Sequence, residues 1–420
     1  MKAIKPTSNI NATVYVPGSK SYTQRALIAA SLAKGRSTVL NALISEDTKH
    51  LIKALGQLGA TINHKGCDFI VEGTNGKLNT PSEAIYMGNN GTGLRLLAGT
   101  VSLGKGTFVL DGSTRMRQRP IQPLIDALKT IGVDAECANG NGCPPVQIEA
   151  KGIAGGKAIL AAGTSSQFLS SLLLASPYSR KDVKISVQGL LPSRPYVKMT
   201  THVMSKFGVD VIKEKDDSFL VKAPQVYHPT EYVVEGDASS ATYFMAAAAI
   251  CGGKIIIPNI CHNSLQGDLH FSDILQSFGC RIDATNDGLE VIGPLSNHND
   301  FSFDLGDVPD MVPALAVVSA FRKGKTVLQN IGHLRVKESD RIAALTAELT
   351  KIGATVEEKK DEMTVQGIAT QGAEIKCYND HRIAMSFAAA GLAIDGIVIK
   401  DPDCVKKSFP DFWEKLEALY

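Results

Sequence analysis

The chain repeats one pattern of residues about every 70 positions, and this period constrains its fold more than any other feature. An amphipathic run ends in a glycine five times, at Gly59, Gly132, Gly208, Gly279 and Gly353. Glycine is typical of helix C-termini because it adopts the left-handed backbone conformation without steric cost. The glycines are 73, 76, 71 and 74 residues apart, so a chain of 420 residues has room for six such units.

A second repeated element is an alanine- and leucine-rich segment that opens on small or polar residues. Its six copies begin at Ser21, Gly91, Ser165, Asp237, Asp310 and Asp380. These segments are apolar nearly all round, which predicts buried helices and favours closed domains over a solenoid. Short β-rich runs bounded by glycine lie between them. The alternation of strand and helix predicts an α/β fold with two domains of three units each.

Composition and charge exclude several classes of protein. Lys and Arg number 44 against 42 Asp and Glu, a net charge of +2 that argues against a nucleic-acid partner. No apolar run approaches the ~18 residues that span a bilayer, and the N-terminus lacks the apolar core of a signal peptide. The eight cysteines form no Cys-x-x-Cys pair. We expect a cytoplasmic protein with reduced thiols, no membrane partner and no metal.

The starts of the predicted buried helices carry unusual chemistry. Helix N-termini attract anions, because their first amides lack partners within the helix. The starts in the first half carry hydrogen-bond donors and cations such as Lys20, whereas those in the second half carry aspartates. Serine and aspartate also cap helices, which explains part of this pattern. The arginines beside the starts predict an anionic substrate, with carboxylates placed to transfer protons.

Several segments together resemble the 5-enolpyruvylshikimate-3-phosphate synthase family, also called 3-phosphoshikimate 1-carboxyvinyltransferases. The resemblance runs through PGSKSYTQRALIAASLA, GNNGTGLRLLAG, RMRQRPIQPLIDAL, SSQFLSSLLLA, SRPY, EGDASSATYFMAAAAI, VPDM, LRVKESDRI, NDHRIAMSFA and KKSFPDFW. It implies an inside-out α/β barrel of βαβαββ-type units, with one domain over 17–234 and another over 1–16 plus 235–420. The first would bind mainly shikimate 3-phosphate, and the second would supply acid/base and phosphoenolpyruvate-binding residues.

The implied reaction moves the enolpyruvyl group of phosphoenolpyruvate onto the 5-hydroxyl of shikimate 3-phosphate and releases phosphate, in aromatic amino-acid (chorismate) biosynthesis. It proceeds by addition and elimination and uses no metal or organic cofactor. The resemblance makes Asp310 the base that deprotonates the hydroxyl and Glu338 the proton donor to the methylene carbon. Lys20 would take part in these proton transfers. It also implies inhibition by glyphosate, and we expect a monomer.

The resemblance assigns binding residues by motif. Those implied for shikimate 3-phosphate are Lys20, Ser21, Arg25, Ser165, Ser166, Gln167, Ser193, Tyr196, Asp310, His333 and Lys337. Those implied for phosphoenolpyruvate are Lys20, Asn89, Gly91, Arg119, Gln167, Arg341, Arg382 and Lys407. His333 stands where the family often has Asn, and Leu96 where Pro commonly follows the arginine. The first departure puts one phosphate contact in doubt, and the second bears on glyphosate sensitivity.

Two other functions stay open. A sister enolpyruvyl transferase acts on UDP-N-acetylglucosamine with the same fold, and it would use a cysteine on a mobile loop. Cys137 and Cys143 lie in a candidate loop here, although we expect them to be structural thiols. A non-catalytic phosphometabolite-binding protein would have lost Lys20, Asp310 and Glu338, and this chain has all three.

Overall fold

The structure is a computed structural model that describes residues 1–161, 163, 165–215, 217–285 and 288–420. The chain forms two compact units. The first unit is Gly18–Val234, and the second unit comprises Met1–Pro17 with Glu235–Tyr420. Both units alternate strands with helices, which confirms the α/β fold expected from the sequence.

The helices recur at regular intervals along both units. In the first unit they are α1 (Lys20–Leu32), α2 (Glu46–Gln57), α3 (Gly91–Val101), α4 (Gln122–Thr130), α5 (Ser166–Ala175) and α6 (Arg194–Lys206). In the second unit they are α7 (Ala238–Cys251), α8 (His270–Ser277), α9 (Val312–Ser319), α10 (Arg341–Lys351), α11 (His381–Gly391) and α12 (Phe412–Glu417).

The strands are short. Those before the third helix are β1 (Lys2–Ala3), β2 (Ile10–Thr13), β3 (Arg36–Leu40), β4 (Thr61–Lys65), β5 (Asp68–Glu72) and β6 (Ile85–Tyr86). The rest of the first unit contributes β7 (Lys105–Asp111), β8 (Asp134–Cys137), β9 (Val146–Lys151), β10 (Gly156–Ala161), β11 (Val183–Gln188), β12 (Ile212–Lys213), β13 (Ser218–Val221) and β14 (Glu231–Val233). The second unit continues with β15 (Gly253–Ile257), β16 (Arg281–Thr285), β17 (Gly288–Gly293), β18 (Phe301–Asp304), β19 (Thr326–Gln329), β20 (Thr355–Glu358), β21 (Glu362–Gln366), β22 (Glu374–Ile375) and β23 (Val398–Ile399).

One strand order recurs in the sheets of both units. In the first unit the orders are β14-β3-β5-β4, β6-β7-β9-β8 and β10-β11-β13-β12. In the second unit they are β2-β15-β17-β16, β18-β19-β21-β20 and the three-stranded β22-β23-β1. In each sheet the first strand pairs parallel with the second, and the remaining pairs are antiparallel. The sheets are therefore mixed, and the sequence period corresponds to repeated sheets.

The alanine- and leucine-rich segments form the buried helices of each core. Every residue of α9 is buried, and α7 is buried along nearly its whole length. Helix α11 packs against both, while α3 packs against α5 in the first unit. The five glycines that end the amphipathic helices have backbone φ angles between +79° and +105°, which confirms their predicted role as helix terminators. Among the described residues, no helix is long and apolar enough to cross a membrane.

Candidate active site

Arg341 lies at the centre of a buried charge cluster in the second unit. Its Nε donates to Asp380 Oδ2 at 2.8 Å, its Nη1 to Asp310 Oδ1 at 3.1 Å, and its Nη2 to Glu338 Oε2 at 2.9 Å. The side chain is only 1% exposed. A buried guanidinium is stable only when its donors are matched by acceptors, and this one is shared among three carboxylates. The cluster thus joins two predicted catalytic residues to one predicted ligand of phosphoenolpyruvate.

Arg382 extends the cluster. Its Nη2 donates to Asp310 Oδ2 at 2.7 Å and its Nη1 to the Tyr243 hydroxyl at 3.2 Å. Burial alone would raise the pKa of the Asp310 carboxyl. The charges of Arg382, Arg341 and Lys337 outweigh burial and hold this pKa below its ordinary value. Asp310 is therefore a carboxylate at neutral pH, paired with two arginines.

The aspartates at the helix starts divide into two roles. Asp237 accepts from the backbone N–H of Ser240, and Asp380 accepts from that of Arg382, so both are N-caps. Helix α9 begins differently, because its N-cap is Met311. The Asp310 carboxylate instead binds arginine side chains, so capping does not account for it.

The remaining residues predicted in the second unit lie on short 3-10 helices or beside them. His333 lies in the 3-10 helix Gly332–Val336, where burial lowers its pKa to about 4, so its ring is neutral at pH 7. The residue after that helix is Lys337, whose charge lowers the pKa of both His333 and Asp310. Lys407 ends the 3-10 helix Pro402–Lys407 and is 6% exposed.

In the first unit, Lys20 begins helix α1 and pairs with a residue that the motifs did not indicate. Its Nζ lies 3.1 Å from Asp47 Oδ2, and both side chains are largely buried. Asn90 supports this pair, because its Nδ2 donates to the Asp47 carbonyl at 2.7 Å and to Gln24 Oε1 at 3.0 Å. The Asn90 Oδ1 atom accepts from the N–H of Gly93 and so caps α3. These bonds link the starts of three helices.

Gly91 is the first residue of α3, and its missing side chain leaves room for Arg119. A Cβ atom built on Gly91 would lie 2.6 Å from Arg119 Nη2, closer than van der Waals contact allows. The same guanidinium donates through Nη1 to the carbonyl and to Oδ1 of Asn89, both at 3.1 Å. Three residues predicted to bind phosphoenolpyruvate are therefore in one place.

Arg25 is fully buried one turn into α1. Its Nε donates to Thr200 Oγ1 at 2.7 Å, its Nη1 to the Ser21 carbonyl at 2.9 Å, and its Nη2 to Ser170 Oγ at 3.3 Å. The guanidinium carbon lies 6.0 Å from the centre of the Tyr196 ring. Burial lowers the pKa of Arg25 to about 10, which leaves it charged at neutral pH. Arg25, Ser21 and Tyr196 are thus brought together.

Gln167 and its neighbours occupy the start of α5. The Gln167 Oε1 atom accepts from Arg95 Nη1 at 2.8 Å, and its Nε2 donates to Thr92 Oγ1 at 2.9 Å. Ser165 caps the helix by accepting from the Gln167 N–H, and Ser166 is buried beside it. Ser193 precedes α6 with a left-handed φ of +60°.

The sequence motifs missed the residues that hold the predicted ones in place. They are Asp47, Asn90, Tyr243 and Asp380. Asn90 and Asp380 were visible only as helix starts. Asp47 and Tyr243 carry no local signal, because each meets its partner across a long stretch of chain. The residues assigned to shikimate 3-phosphate and phosphoenolpyruvate are divided between the two units, and each unit gathers its own share.

The repeated sheets and the buried arginines at helix starts define the chain as an α/β protein equipped for anionic ligands. The family model of EPSP synthase (3-phosphoshikimate 1-carboxyvinyltransferase) matches residues 4–416. The 3-phosphoshikimate 1-carboxyvinyltransferase of Syntrophobacter fumaroxidans is 41% identical over 420 residues, covering 100% of this chain and 99% of that protein. The enzyme of the same name from Vibrio vulnificus is 41% identical over 422 residues, covering 99% and 98%.

A solved structure is similar as well. The 2.37 Å structure of EPSP synthase from Acinetobacter baumannii has a TM-score of 0.81 and 27% identity, covering 99% of this chain and 97% of that one. The chain belongs to the EPSP synthase (3-phosphoshikimate 1-carboxyvinyltransferase) family.

Proposed function

We propose that this protein transfers the enolpyruvyl group of phosphoenolpyruvate to the 5-hydroxyl of shikimate 3-phosphate and releases phosphate, as a step of aromatic amino-acid biosynthesis. Family membership supports the proposal along the whole chain. The observation that carries it within the chain is the bonding of Arg341 to Asp310 and Glu338, because it joins an anion-binding group to two carboxylates suited to proton transfer. We also propose that the repeated units form the family's inside-out α/β barrel, three in each domain.

The arginine cluster explains how substrate binding prepares the acid and the base. A carboxylate with a depressed pKa is a weak base, and a proton donor must hold a proton near neutral pH. Phosphoenolpyruvate carries a phosphate and a carboxylate that compete for Arg341 and Arg382. When it takes these arginines, Asp310 and Glu338 lose their arginine partners, and the pKa of Asp310 rises. The substrate thus converts two ion-paired carboxylates into a base and a proton donor.

The reaction steps follow from those roles. Asp310 accepts the proton of the 5-hydroxyl as its oxygen attacks the central carbon of phosphoenolpyruvate, while Glu338 protonates the methylene carbon. Lys20 takes part in these proton transfers and stabilises negative charge. The tetrahedral adduct then collapses, a proton leaves the new methyl group, and phosphate departs. Arg341, Arg382 and Lys407 stabilise the carboxylate and phosphate charges throughout.

The first unit would supply most of the contacts to shikimate 3-phosphate. Lys20, Ser21 and Arg25 lie in the first turns of α1, where the helix dipole favours an anion. Ser165, Ser166 and Gln167 form the start of α5, and Ser193 and Tyr196 that of α6. In the second unit, Asp310, His333 and Lys337 would complete these contacts. The neutral ring of His333 limits it to a hydrogen bond with the ligand.

Gly91, Asn89 and Arg119 would bind phosphoenolpyruvate together with Lys20 and Gln167. Because Gly91 has no side chain to collide with the Arg119 guanidinium, we propose that glyphosate binds beside Gly91 in competition with phosphoenolpyruvate. We further propose that the protein works as a monomer in the cytoplasm.

The cysteines of the candidate loop do not favour the sister reaction. A catalytic cysteine needs a lowered pKa, because the thiolate is the reactive form. Burial raises the pKa of Cys137 to about 11, and burial raises that of Cys143 as well. Both thiols are therefore protonated at neutral pH.

The proposal is tested by phosphate release from phosphoenolpyruvate, with shikimate 3-phosphate and UDP-N-acetylglucosamine as alternative acceptors. We expect turnover with shikimate 3-phosphate alone, lost in Asp310→Asn and in Lys20→Met. Asp273→Asn, on the exposed face of α8, is the matched control and keeps parental turnover. Turnover with the sugar nucleotide would assign the protein to the sister function, and no turnover with either acceptor would refute enolpyruvyl transfer.

A further inference from the structure

Glu348 is a buried carboxylate in the second half of α10, and the proposed reaction does not use it. Its Oε2 atom accepts from Lys351 Nζ at 2.6 Å and from the Lys376 backbone N–H at 3.1 Å. Its Oε1 atom accepts from the Tyr378 hydroxyl at 2.9 Å. A carboxylate is buried at a large cost unless donors surround it, so these bonds hold Glu348 and the segment around Tyr378 together.

The segment that Glu348 holds has an unfavourable backbone conformation. Tyr378 and Asn379 are consecutive residues with left-handed φ angles of +56° and +53°. Asparagine adopts such angles more readily than a bulky aromatic residue, for which they persist only where surrounding contacts enforce them. The Tyr378 hydroxyl donates to Glu348, and Lys376 Nζ lies 4.8 Å from the centre of the tyrosine ring. Burial and the Glu348 carboxylate raise the pKa of Tyr378 to about 12, so the hydroxyl keeps the proton that it donates.

The left-handed turn leads directly into the candidate site. The Asp380 N–H closes the turn by donating to the Cys377 carbonyl at 2.8 Å, and the Asp380 side chain caps α11 by accepting from the Arg382 N–H. Helix α10 begins at Arg341, whose Nε donates to Asp380 at 2.8 Å. Helix α10 is therefore bonded to this segment at two points, through Arg341 at its start and through Glu348 about two turns later.

We propose that Glu348 is a positioning residue for phosphoenolpyruvate binding, because it fixes the left-handed turn at Tyr378 and Asn379 and thereby places the start of α11. This inference rests on the proposed function, in which Arg382 binds phosphoenolpyruvate. Glu348 acts through the backbone, since its carboxylate bonds Lys376 and Tyr378 before the helix. When these bonds are lost, the turn relaxes toward the more favourable φ values, and Arg382 is displaced with the helix start.

Two substitutions test the bonds that hold the turn. Glu348→Gln keeps the size of the side chain but exchanges one acceptor oxygen for a donating NH₂, so the bond to either the Lys376 N–H or the Tyr378 hydroxyl is lost. Tyr378→Phe is the milder change and removes only the hydroxyl. In the phosphate-release assay we expect both variants to raise the KM for phosphoenolpyruvate by roughly threefold to tenfold. The kcat and the KM for shikimate 3-phosphate should stay within about twofold of the parent, because a displaced Arg382 weakens substrate and transition state alike.

Amide hydrogen exchange of the full chain measures the turn without using turnover. The Asp380 and Arg382 amides donate within the turn and the cap, so peptides spanning 376–386 should exchange roughly tenfold faster in both variants. Peptides from α7 should keep the parental rate. Glu362→Gln is the matched control, because Glu362 also accepts from a lysine three residues away, Lys359, at 2.8 Å but lies outside the turn. We expect this control to keep both KM values and the parental exchange rates.

Three results would overturn the positioning role of Glu348. The first is parental exchange at 376–386 in both variants, and the second is faster exchange with an unchanged KM for phosphoenolpyruvate. The third is an equal rise of both KM values together with faster exchange in α7, which would mean general destabilisation. A parent protein that releases no phosphate with either acceptor would instead refute the proposed function, and the exchange rates would still decide whether Glu348 fixes the turn.

Discussion

The Asp380 carboxylate offers a sharp test of the charge cluster, because Asp380→Asn changes its charge and leaves its size almost unaltered. The residue is fully buried and accepts four hydrogen bonds. Oδ2 receives Arg341 Nε at 2.8 Å and the Ser339 hydroxyl at 3.0 Å, while Oδ1 receives Arg341 Nη2 at 3.3 Å and the Arg382 N–H at 3.0 Å. Asparagine keeps one acceptor oxygen and replaces the other with a donor.

The expected cost can be worked from these bonds. If the remaining oxygen keeps the helix cap, the new amide N–H₂ faces Arg341 Nε, and that donor loses its acceptor. Breaking a buried ion pair by removing one partner costs about 3–5 kcal/mol. Arg341 keeps Asp310 and Glu338, which reduces the penalty. We therefore expect the free energy of unfolding to fall by about 2–4 kcal/mol.

Urea unfolding followed by tryptophan fluorescence measures this loss in the relevant unit, since the chain has a single tryptophan, Trp413, and it lies in α12. Asp340→Asn is the matched control, because Asp340 also caps a helix and pairs with Arg335, but its side chain is 40% exposed. We expect the control to lose about 1 kcal/mol or less. Equal losses in the two variants, or a change below about 0.5 kcal/mol in Asp380→Asn, would refute the importance of burial and charge sharing.

Three further predictions concern both units. Gly91→Ala places a methyl group 2.6 Å from Arg119 Nη2, so we expect phosphoenolpyruvate and glyphosate to bind roughly tenfold more weakly, as measured by steady-state inhibition. A variant that binds glyphosate as tightly as the parent would overturn the assignment of Gly91 to the phosphoenolpyruvate site. Burial raises the pKa of the Asp268 carboxyl to about 7, so the folded state favours the neutral carboxyl. The protonated carboxyl therefore contributes to stability below about pH 4, and this contribution is lost as the pH rises through about 7. Asp268→Asn should lose less stability than the parent between pH 5 and pH 8 in urea unfolding, and identical losses would contradict this. Arg25→Lys cannot supply the three directed donors of the guanidinium, so the KM for shikimate 3-phosphate should rise by roughly tenfold or more in the phosphate-release assay, whereas an unchanged KM would remove Arg25 from the binding residues.

The local features of this protein could be predicted from the sequence. The glycine that ends an amphipathic helix, the apolar helix that must be buried, and the aspartate that caps a helix each depend on residues a few positions apart. Gly59 and Gly353 show the predicted positive φ, and Asp237 and Asp380 cap α7 and α11. The period of about 70 then extended these local patterns to repeated sheets.

The partners of the site residues depend on the tertiary structure. Arg341 meets Asp380 across 39 residues, Arg382 meets Asp310 across 72, and Lys20 meets Asp47 through a different helix. Nothing near these residues in the chain indicates such pairs, because packing of the buried helices brings their starts together. The low pKa of Asp310 has the same origin, since it arises from charges supplied by other helices after folding. The sequence thus determined which groups lie at the helix starts, and the packing of those helices decided which of these groups form ion pairs.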